Sequence, residues 1–273
     1  MSSFVKVKKS KLVIIISIVI LVTLGFFIIP GEKKSERIKI GVADDSSGML
    51  IDYIIRSKGL ENISLQNNFE AYTVSDCCSS TSQWSLSTEL IDVAIMCPTS
   101  AENLVKKDKR FDIIGPCILN SDVFVLKDNS SIKSIGVSQN RDHQDKMVTD
   151  KFGGSVNINK TLTASLPYAY EKGIVDGILI DFTKAMMING EKVSSLMDKD
   201  NVTYVLVVSK RFEKDKRYDK FMKSFKESVE ELNKFEVLKE ELYKYKNIKL
   251  SGEEMSLCNH LKVKFVFTTP QTN

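Results

Sequence analysis

The sequence predicts a two-lobed α/β fold, in which each lobe is a mostly parallel sheet flanked by helices, after one N-terminal transmembrane helix. Three observations predict it. A unit of strand, polar loop and helix repeats through residues 38–115, a second set of such units begins at Ile135, and an apolar run extends from Leu12 to Ile29. Strands that alternate with helices form parallel sheets with helices on their faces.

The first lobe contains four predicted strands, each followed by a loop that is polar or contains cysteine. The strands are Ile38–Ala43, Phe69–Val74, Ile91–Met96 and Phe111–Gly115. After the first of them, apolar residues between Met49 and Ile55 recur at helical spacing, and a further helix is predicted from Ser100 to about Lys107.

The second lobe begins after Val123–Leu126, a strand that leaves the first sheet. Its strands are predicted at Ile135–Val137, Val156–Ile158 and Gly177–Ile180, and the β-branched run Val202–Val208 carries the chain back. Residues 215–246 read as a long helical region with one apolar stripe. The predicted lobe 1 is therefore 38–126 with 205–273, and lobe 2 is 127–204.

The N-terminus reads as a membrane anchor. Residues 1–11 form a basic tail, 12–30 the anchor and 31–37 a linker; an apolar run of this length is enough to cross a bilayer and no small-residue cleavage site follows it. Four of the 39 basic residues lie in the first thirty positions, and none of the 35 acidic residues does. In the rest of the chain, basic and acidic residues are therefore equal in number. That balance argues against a nucleic-acid partner.

Cysteines carry the predicted chemistry. Cys77, Cys78, Cys97 and Cys117 each come at or just after the end of a predicted strand of the first lobe, where ligands bind in open α/β sheets. Thiolates select soft metals, so we predict a thiol ligand site, with Cys77, Cys78 and Cys97 as the metal ligands. A structural disulfide such as Cys97–Cys117, or coincidence, are the alternatives that the residues leave open.

Further polar residues also follow predicted strands and are candidate ligand contacts. They are Ser46, Ser47, Arg141, His143 and Asp181. The common hydrolase, nucleotide and zinc-protease motifs do not occur in the sequence, so we predict neither a catalytic residue nor a cofactor.

The order of the segments resembles that of the type II periplasmic binding proteins. The residues that carry the resemblance are Ile38–Val42, Glu89–Ile95, Ser134–Ser138 and Lys172–Ile178. It implies a carrier rather than an enzyme, with a small-molecule ligand and with an ABC permease and ATPase as partners. It also implies a single-pass protein of the cell membrane with the binding domain on the extracytoplasmic side.

A narrower resemblance rests on Thr73–Ser80 and Asp92–Pro98. These stretches are similar to the substrate-binding (seleno)protein of the selenocysteine-assisted organometallic (Sao) ABC transport system of anaerobic bacteria, here in a Cys-Cys form. That likeness implies capture of a thiophilic ligand, organometallic or soft metal, by the cleft cysteines.

The sequence is also compatible with two other functions. Proteins of similar outline bind small organic solutes such as sulfonates or thiamine-precursor pyrimidines, and Trp84 and Phe124 would then line the cleft. A vicinal dithiol can also perform thiol–disulfide exchange or cleave a carbon–metal bond, for which Asp76 is the one local proton donor in the sequence.

Overall fold

The computed structural model describes residues 37–56, 69–74, 85, 87–88, 90–127 and 131–268. These residues contain eleven strands, which run in chain order as β1 Ile38–Ala43, β2 Phe69–Val74, β3 Val93–Met96, β4 Phe111–Leu119, β5 Asp122–Leu126, β6 Ser134–Ser138, β7 Asn157–Thr161, β8 Gly177–Asp181, β9 Glu191–Ser194, β10 Val202–Ser209 and β11 Lys264–Phe265.

Helices follow most of these strands. They are α1 Ser46–Arg56, α2 Pro98–Lys107, α3 Asp142–Phe152, α4 Leu166–Glu171, α5 Phe182–Ala185, α6 Lys210–Glu213, α7 Tyr218–Leu232, α8 Phe235–Lys246 and α9 Gly252–Leu261, with a 3-10 turn at Thr163–Ser165. Within the described parts of the chain, none of them is long and apolar enough to cross a membrane. The predicted anchor at 12–30, the basic tail and residues 31–36 of the linker lie outside the described residues.

The first sheet has six strands in the order β11-β4-β10-β3-β1-β2. Strands β1, β2 and β3 are parallel, whereas β10 is antiparallel to both β3 and β4. Since two reversals restore the direction, β4 runs the same way as β1 and β3. The carboxyl ends of these strands therefore share one edge of the sheet.

The second sheet has five strands in the order β7-β6-β8-β5-β9. Strands β6, β7 and β8 are parallel, and β5 is antiparallel to β8 and β9. Two α/β lobes with largely parallel sheets were predicted, and the structure confirms this fold class.

The lobe boundaries differ from the predicted ones by a few residues at each crossover. Strand β5 pairs only in the second sheet, so the described chain crosses at Asn120–Ser121, between β4 and β5, rather than after residue 126. The return strand β10 is in the first sheet from Val202 onward rather than from 205. In both places the hydrogen bonds to neighbouring strands determine where the chain changes sheet, and the local sequence pattern does not encode that pairing.

The predicted helical region 215–246 is two helices. Helix α7 buries the predicted stripe of Phe221, Phe225, Val229 and Leu232. The helix ends at Leu232, and the next residue, Asn233, contacts β11: its amide donates to the carbonyl of Phe265 at 2.6 Å, and its Oδ1 accepts from the Phe265 N–H at 3.0 Å. Asn233 therefore fastens the C-terminal strand to the end of α7.

Alternation along the strands separates the two faces of the first sheet. Val93, Ile95 and Cys97 belong to the large core beneath α1, together with Cys117 and Tyr204. Ala94, Met96, Val205 and Val207 instead form a smaller core with residues of α2. Cys97, Cys117 and Tyr204 thus lie on the α1 face of the sheet.

Candidate functional site

The β1–α1 loop supplies the first wall of the candidate site. Asp45 is only 7% exposed, and its Oδ1 accepts from Ser47 N at 2.9 Å, Ser47 Oγ at 2.5 Å and Gly48 N at 3.3 Å. This carboxylate caps the N-terminus of α1, where backbone N–H groups lack helical partners. Its other oxygen, Oδ2, accepts from the Tyr204 hydroxyl at 2.9 Å.

Glycine is required at position 48 because the chain turns tightly into α1. A Cβ at this position would lie 1.7 Å from the carbonyl oxygen of Ala43 and 2.3 Å from the hydroxyl of Tyr245. That hydroxyl donates to the same Ala43 oxygen. The contact brings α8 against the end of β1 and holds the capping loop in place.

The second wall comes from the other lobe, at the end of β8. Asp181 is 2% exposed and caps α5: its Oδ1 accepts from Thr183 N at 3.0 Å and from Thr183 Oγ1 at 2.7 Å. It also binds across the cleft. Ser46 N donates to Oδ1 at 3.0 Å and Ser46 Oγ donates to Oδ2. The N-terminus of α1 and the end of β8 are therefore joined directly.

Asp181 is buried near a second carboxylate, Asp45, and this affects the protonation of Asp181. Burial raises the pKa of Asp181 to about 6, and the negative charge of Asp45 adds to the effect. The hydrogen bonds from Ser46 and Thr183 act in the opposite direction and do not cancel it. Asp181 therefore changes charge close to neutral pH.

A buried ionic cluster supports the base of the cleft. Asp122, at the start of β5, has no exposed surface; its Oδ1 lies 3.2 Å from Arg141 Nη1 and accepts from Gln144 Nε2 at 3.1 Å. Its Oδ2 lies 3.2 Å from His143 Nε2. Burial pushes the pKa of Asp122 upward, but Arg141 and His143 outweigh it, so the pKa is lowered. Asp122 is thus held as a carboxylate.

The aromatic ring of Tyr204 links this cluster to the first wall. The Arg141 guanidinium carbon lies 5.1 Å from the ring centroid, within the range of a cation–π contact. Because the Tyr204 hydroxyl binds Asp45, one side chain of β10 connects the capping loop of lobe 1 to Arg141 of lobe 2.

The cysteines Cys97 and Cys117 stand on either side of Tyr204. Cys97 directly follows β3 and precedes α2, and its thiol donates to Ser100 Oγ at 3.3 Å. Cys117 lies in β4, next to Ile118, which pairs with Tyr204. Both cysteines are buried thiols. Burial raises the pKa of the Cys117 thiol well above its ordinary value; the backbone hydrogen bond with Ile118 acts against this shift, and the charge of Asp45 adds to it.

One expectation about these cysteines is wrong, and one of the alternatives is absent from the structure. Cys117 does not follow its strand, because β4 continues to Leu119 through a bulged pairing with β10 around Pro116. A Cys97–Cys117 disulfide does not form either. Strand β10 lies between β3 and β4, so their backbones are about 10 Å apart, beyond the reach of a disulfide. Cys77 and Cys78, the other predicted thiols, lie outside the described residues.

Each of the predicted polar residues has a partner within the protein, but only Ser46 and Asp181 bind each other. Ser46 contacts Asp181, Ser47 contacts Asp45, and Arg141 and His143 contact Asp122. Three participants were missed: Asp45, Asp122 and Tyr204. Asp45 had a visible signal, an acidic residue just before a helical pattern, whereas Asp122 and Tyr204 lie inside strands and have none.

Phe124 does not belong to the cleft. It is fully buried in the core of the second lobe, where its ring meets that of Phe152 at a centroid distance of 5.0 Å and nearly at a right angle. The expectation that Phe124 lines a cleft for an organic solute is therefore wrong. Trp84, its predicted companion, lies outside the described residues.

The rim of the cleft is charged. Asp44 lies beside Lys246 of α8 and 3.9 Å from Lys184 Nζ of the second lobe. Among the residues whose side chains are described, no group of three or more His, Cys, Asp or Glu is placed to hold a metal ion.

No protein-family model matches the chain, and no curated protein matches it. Solved structures do. The ligand-binding component of an ABC-type import system from Staphylococcus aureus with zinc bound is similar over 84% of this chain and 85% of its own, with a TM-score of 0.66 and 13% identity. The fold is that of the periplasmic binding proteins.

Two sulfonate-binding proteins show the same likeness. The alkanesulfonate-binding protein of Xanthomonas axonopodis pv. citri bound to MOPS has a TM-score of 0.63 at 11% identity, with 86% of this chain and 88% of that chain covered. The periplasmic aliphatic sulphonate-binding protein of Escherichia coli has a TM-score of 0.60 at 16% identity, with 85% and 82% covered. Coverage of this extent takes in most of both lobes, so the likeness is one of the whole two-lobed architecture.

Proposed function

We propose that this chain is the extracytoplasmic solute-binding component of an ABC importer and that it captures a small thiophilic ligand, an organometallic or a soft metal. One observation carries the proposal: Cys97 and Cys117 are buried on the α1 face of the first sheet, on either side of the tyrosine that reaches the cleft carboxylate Asp45. Buried thiols at a polar cleft suit a soft ligand.

The carrier role is supported by the fold and by the proteins that share it. One such structure is a ligand-binding component of an ABC-type import system with zinc bound, and others bind sulfonates. By extension, the partners proposed here are an ABC permease and its ATPase. The hydrophobic segment at 12–30 would hold the chain in the cell membrane as a single span.

The ligand set proposed for a metal is Cys77, Cys78 and Cys97. Strand β2 is parallel to β1 with Val74 opposite Ala43, so the two strands end at the same level of the sheet. Cys77 comes three residues after Val74, in the chain that continues from this edge. The cleft contacts Cys117, Ser46, Ser47, Arg141, His143 and Asp181 complete the proposed ligand-binding residues.

Protonation gives the proposal a measurable signature. Thiolates bind soft metals, so a protonated thiol must release its proton when the metal binds. The pKa of Cys117 is raised by burial, and its participation would make binding weaker at low pH and release protons into the buffer.

The test is calorimetric titration of the reduced full-length protein in detergent with a monofunctional organomercurial, in two buffers of different ionisation enthalpy. We expect defined stoichiometry, proton release, and loss of most of the affinity in Cys77→Ser/Cys78→Ser. Cys258→Ser is the matched control, because residue 258 lies in α9 and follows no strand end. A double variant that binds like the parent, with Cys97 and Cys117 intact, would show that the adjacent cysteines are not the site.

A further inference from the structure

The N-terminus of α1 is hydrogen-bonded to a carboxylate from the opposite lobe. Helix N-termini bind carboxylates, phosphates and sulfates through free N–H groups and the helix dipole. Here, the backbone N–H and the hydroxyl of Ser46 both donate to Asp181. The carboxylate comes from the opposite lobe, 135 residues away, and it uses donors of the kind that bind small anions at helix N-termini.

Capping of α5 does not account for this placement. The cap uses Oδ1 alone, through Thr183 N and Thr183 Oγ1. Within the described part of the chain, Oδ2 has its hydrogen bond across the cleft, to Ser46 Oγ. Oδ1 is therefore shared between Thr183 of its own lobe and the Ser46 N–H of α1, whereas Oδ2 accepts from the Ser46 hydroxyl.

The surrounding charges make a second anion unfavourable. The Asp45 carboxylate faces the same space, and its charge is felt by both Asp181 and Cys117. The cations nearby are matched to other carboxylates: Arg141 to Asp122, and Lys184 and Lys246 to Asp44. A ligand that entered with a negative charge would have to displace Asp181 while it faced Asp45.

We propose that Asp181 is the specificity-determining residue of the cleft: it acts as a tethered carboxylate that excludes anionic head groups from α1 and restricts the ligand to cations and neutral molecules. This inference rests on the proposed binding function and deepens it. A cleft that contains this carboxylate differs from one that binds a sulfonate. Its negative charge is complementary to a cationic metal or organometallic.

Chemical rescue tests this directly, because the atoms removed in Asp181→Gly are those of acetate. In the full-length protein at neutral pH, sodium acetate should raise the melting temperature of Asp181→Gly in a saturable way. Sodium chloride at equal ionic strength should not. The parent protein should bind acetate at least about tenfold more weakly than the variant, since its site is filled. Asp44→Gly removes a rim carboxylate of the same loop and serves as the matched control without rescue.

Two results would overturn the inference. One is saturable stabilisation of the parent by acetate or methanesulfonate, which needs no variant to be measured. The other is a folded Asp181→Gly, or the hydroxyl-capped Asp181→Ser if glycine prevents folding, that gains nothing from acetate. Neither depends on the thiols, so failure of the mercurial titration with successful rescue would reject the ligand proposed above and leave the role of Asp181 intact.

Discussion

Replacement of Asp181 by asparagine should change how stability depends on pH. Asparagine keeps the hydrogen bonds: its oxygen can accept from Ser46 N and from both Thr183 donors, and its amide can donate to Ser46 Oγ. What disappears is the charge. Burial and Asp45 raise the pKa of Asp181 from 3.8 to about 6, so ionisation of this group opposes folding.

The magnitude follows from that shift. Each pKa unit corresponds to about 1.4 kcal/mol, so the displacement of Asp181 amounts to about 3 kcal/mol. In the window between about pH 4 and pH 6, the folded chain retains a proton that the unfolded chain releases. The free energy of unfolding contributed by Asp181 therefore falls as the pH rises through this window and is constant above it. Asparagine does not ionise, so residue 181 of the variant causes no such decrease in the free energy of unfolding.

The assay is urea unfolding followed by circular dichroism at several pH values from about 4 to 7.5. We expect the variant to gain about 3 kcal/mol on the parent across that range. Asp44→Asn is the control, since that carboxylate is largely exposed and its removal should leave the parent's pH profile nearly unchanged. Parallel profiles for Asp181→Asn and the parent would refute the reasoning.

Three other changes have defined outcomes. Gly48→Ala should cost about 3 kcal/mol or more of unfolding free energy, because the new Cβ lies 1.7 Å from the oxygen of Ala43; a loss below about 1 kcal/mol would contradict the tight turn. Asp122→Asn should cost about 3 kcal/mol in urea unfolding, because it leaves the charge of Arg141 buried beside a neutral group, and a neutral effect would show that the pair is dispensable. A protein that begins at Lys34 should be soluble and unfold cooperatively, since 37–273 form one compact unit; aggregation would place the preceding segment in the core.

Much of the fold could be predicted because the strands are apolar and end in polar loops. The carboxyl ends of such strands meet at one edge of a sheet, so the sequence alone assigns Ser46, Arg141 and Asp181 to one cleft. Their partners could not be predicted. The Ser46–Asp181 contact joins two lobes across 135 residues, and no local period or spacing encodes such a pairing.

Errors arose where pairing between strands overrides local pattern. Pro116 suggests the end of a strand, because proline cannot donate to a ladder. In the structure, a bulge opposite Tyr204 and Val205 accommodates it, and β4 continues past Cys117. Likewise, the consecutive order of β3 and β4 predicts that they are neighbours, but β10, a strand from much later in the chain, separates them.

The two crossovers between the lobes lie side by side and are bonded to each other. Asn120 N donates to Asn201 O at 2.9 Å, Asn201 N donates to Asn120 Oδ1 at 2.8 Å, and Ser121 N donates to Thr203 Oγ1 at 3.0 Å. A movement that keeps these bonds would turn one lobe about the line that they define. Under the proposed binding function, ligand capture would then be a change in a single angle, and the proposed permease, in contact with the outer edges of both lobes, would meet it as a change in the distance between its two points of contact.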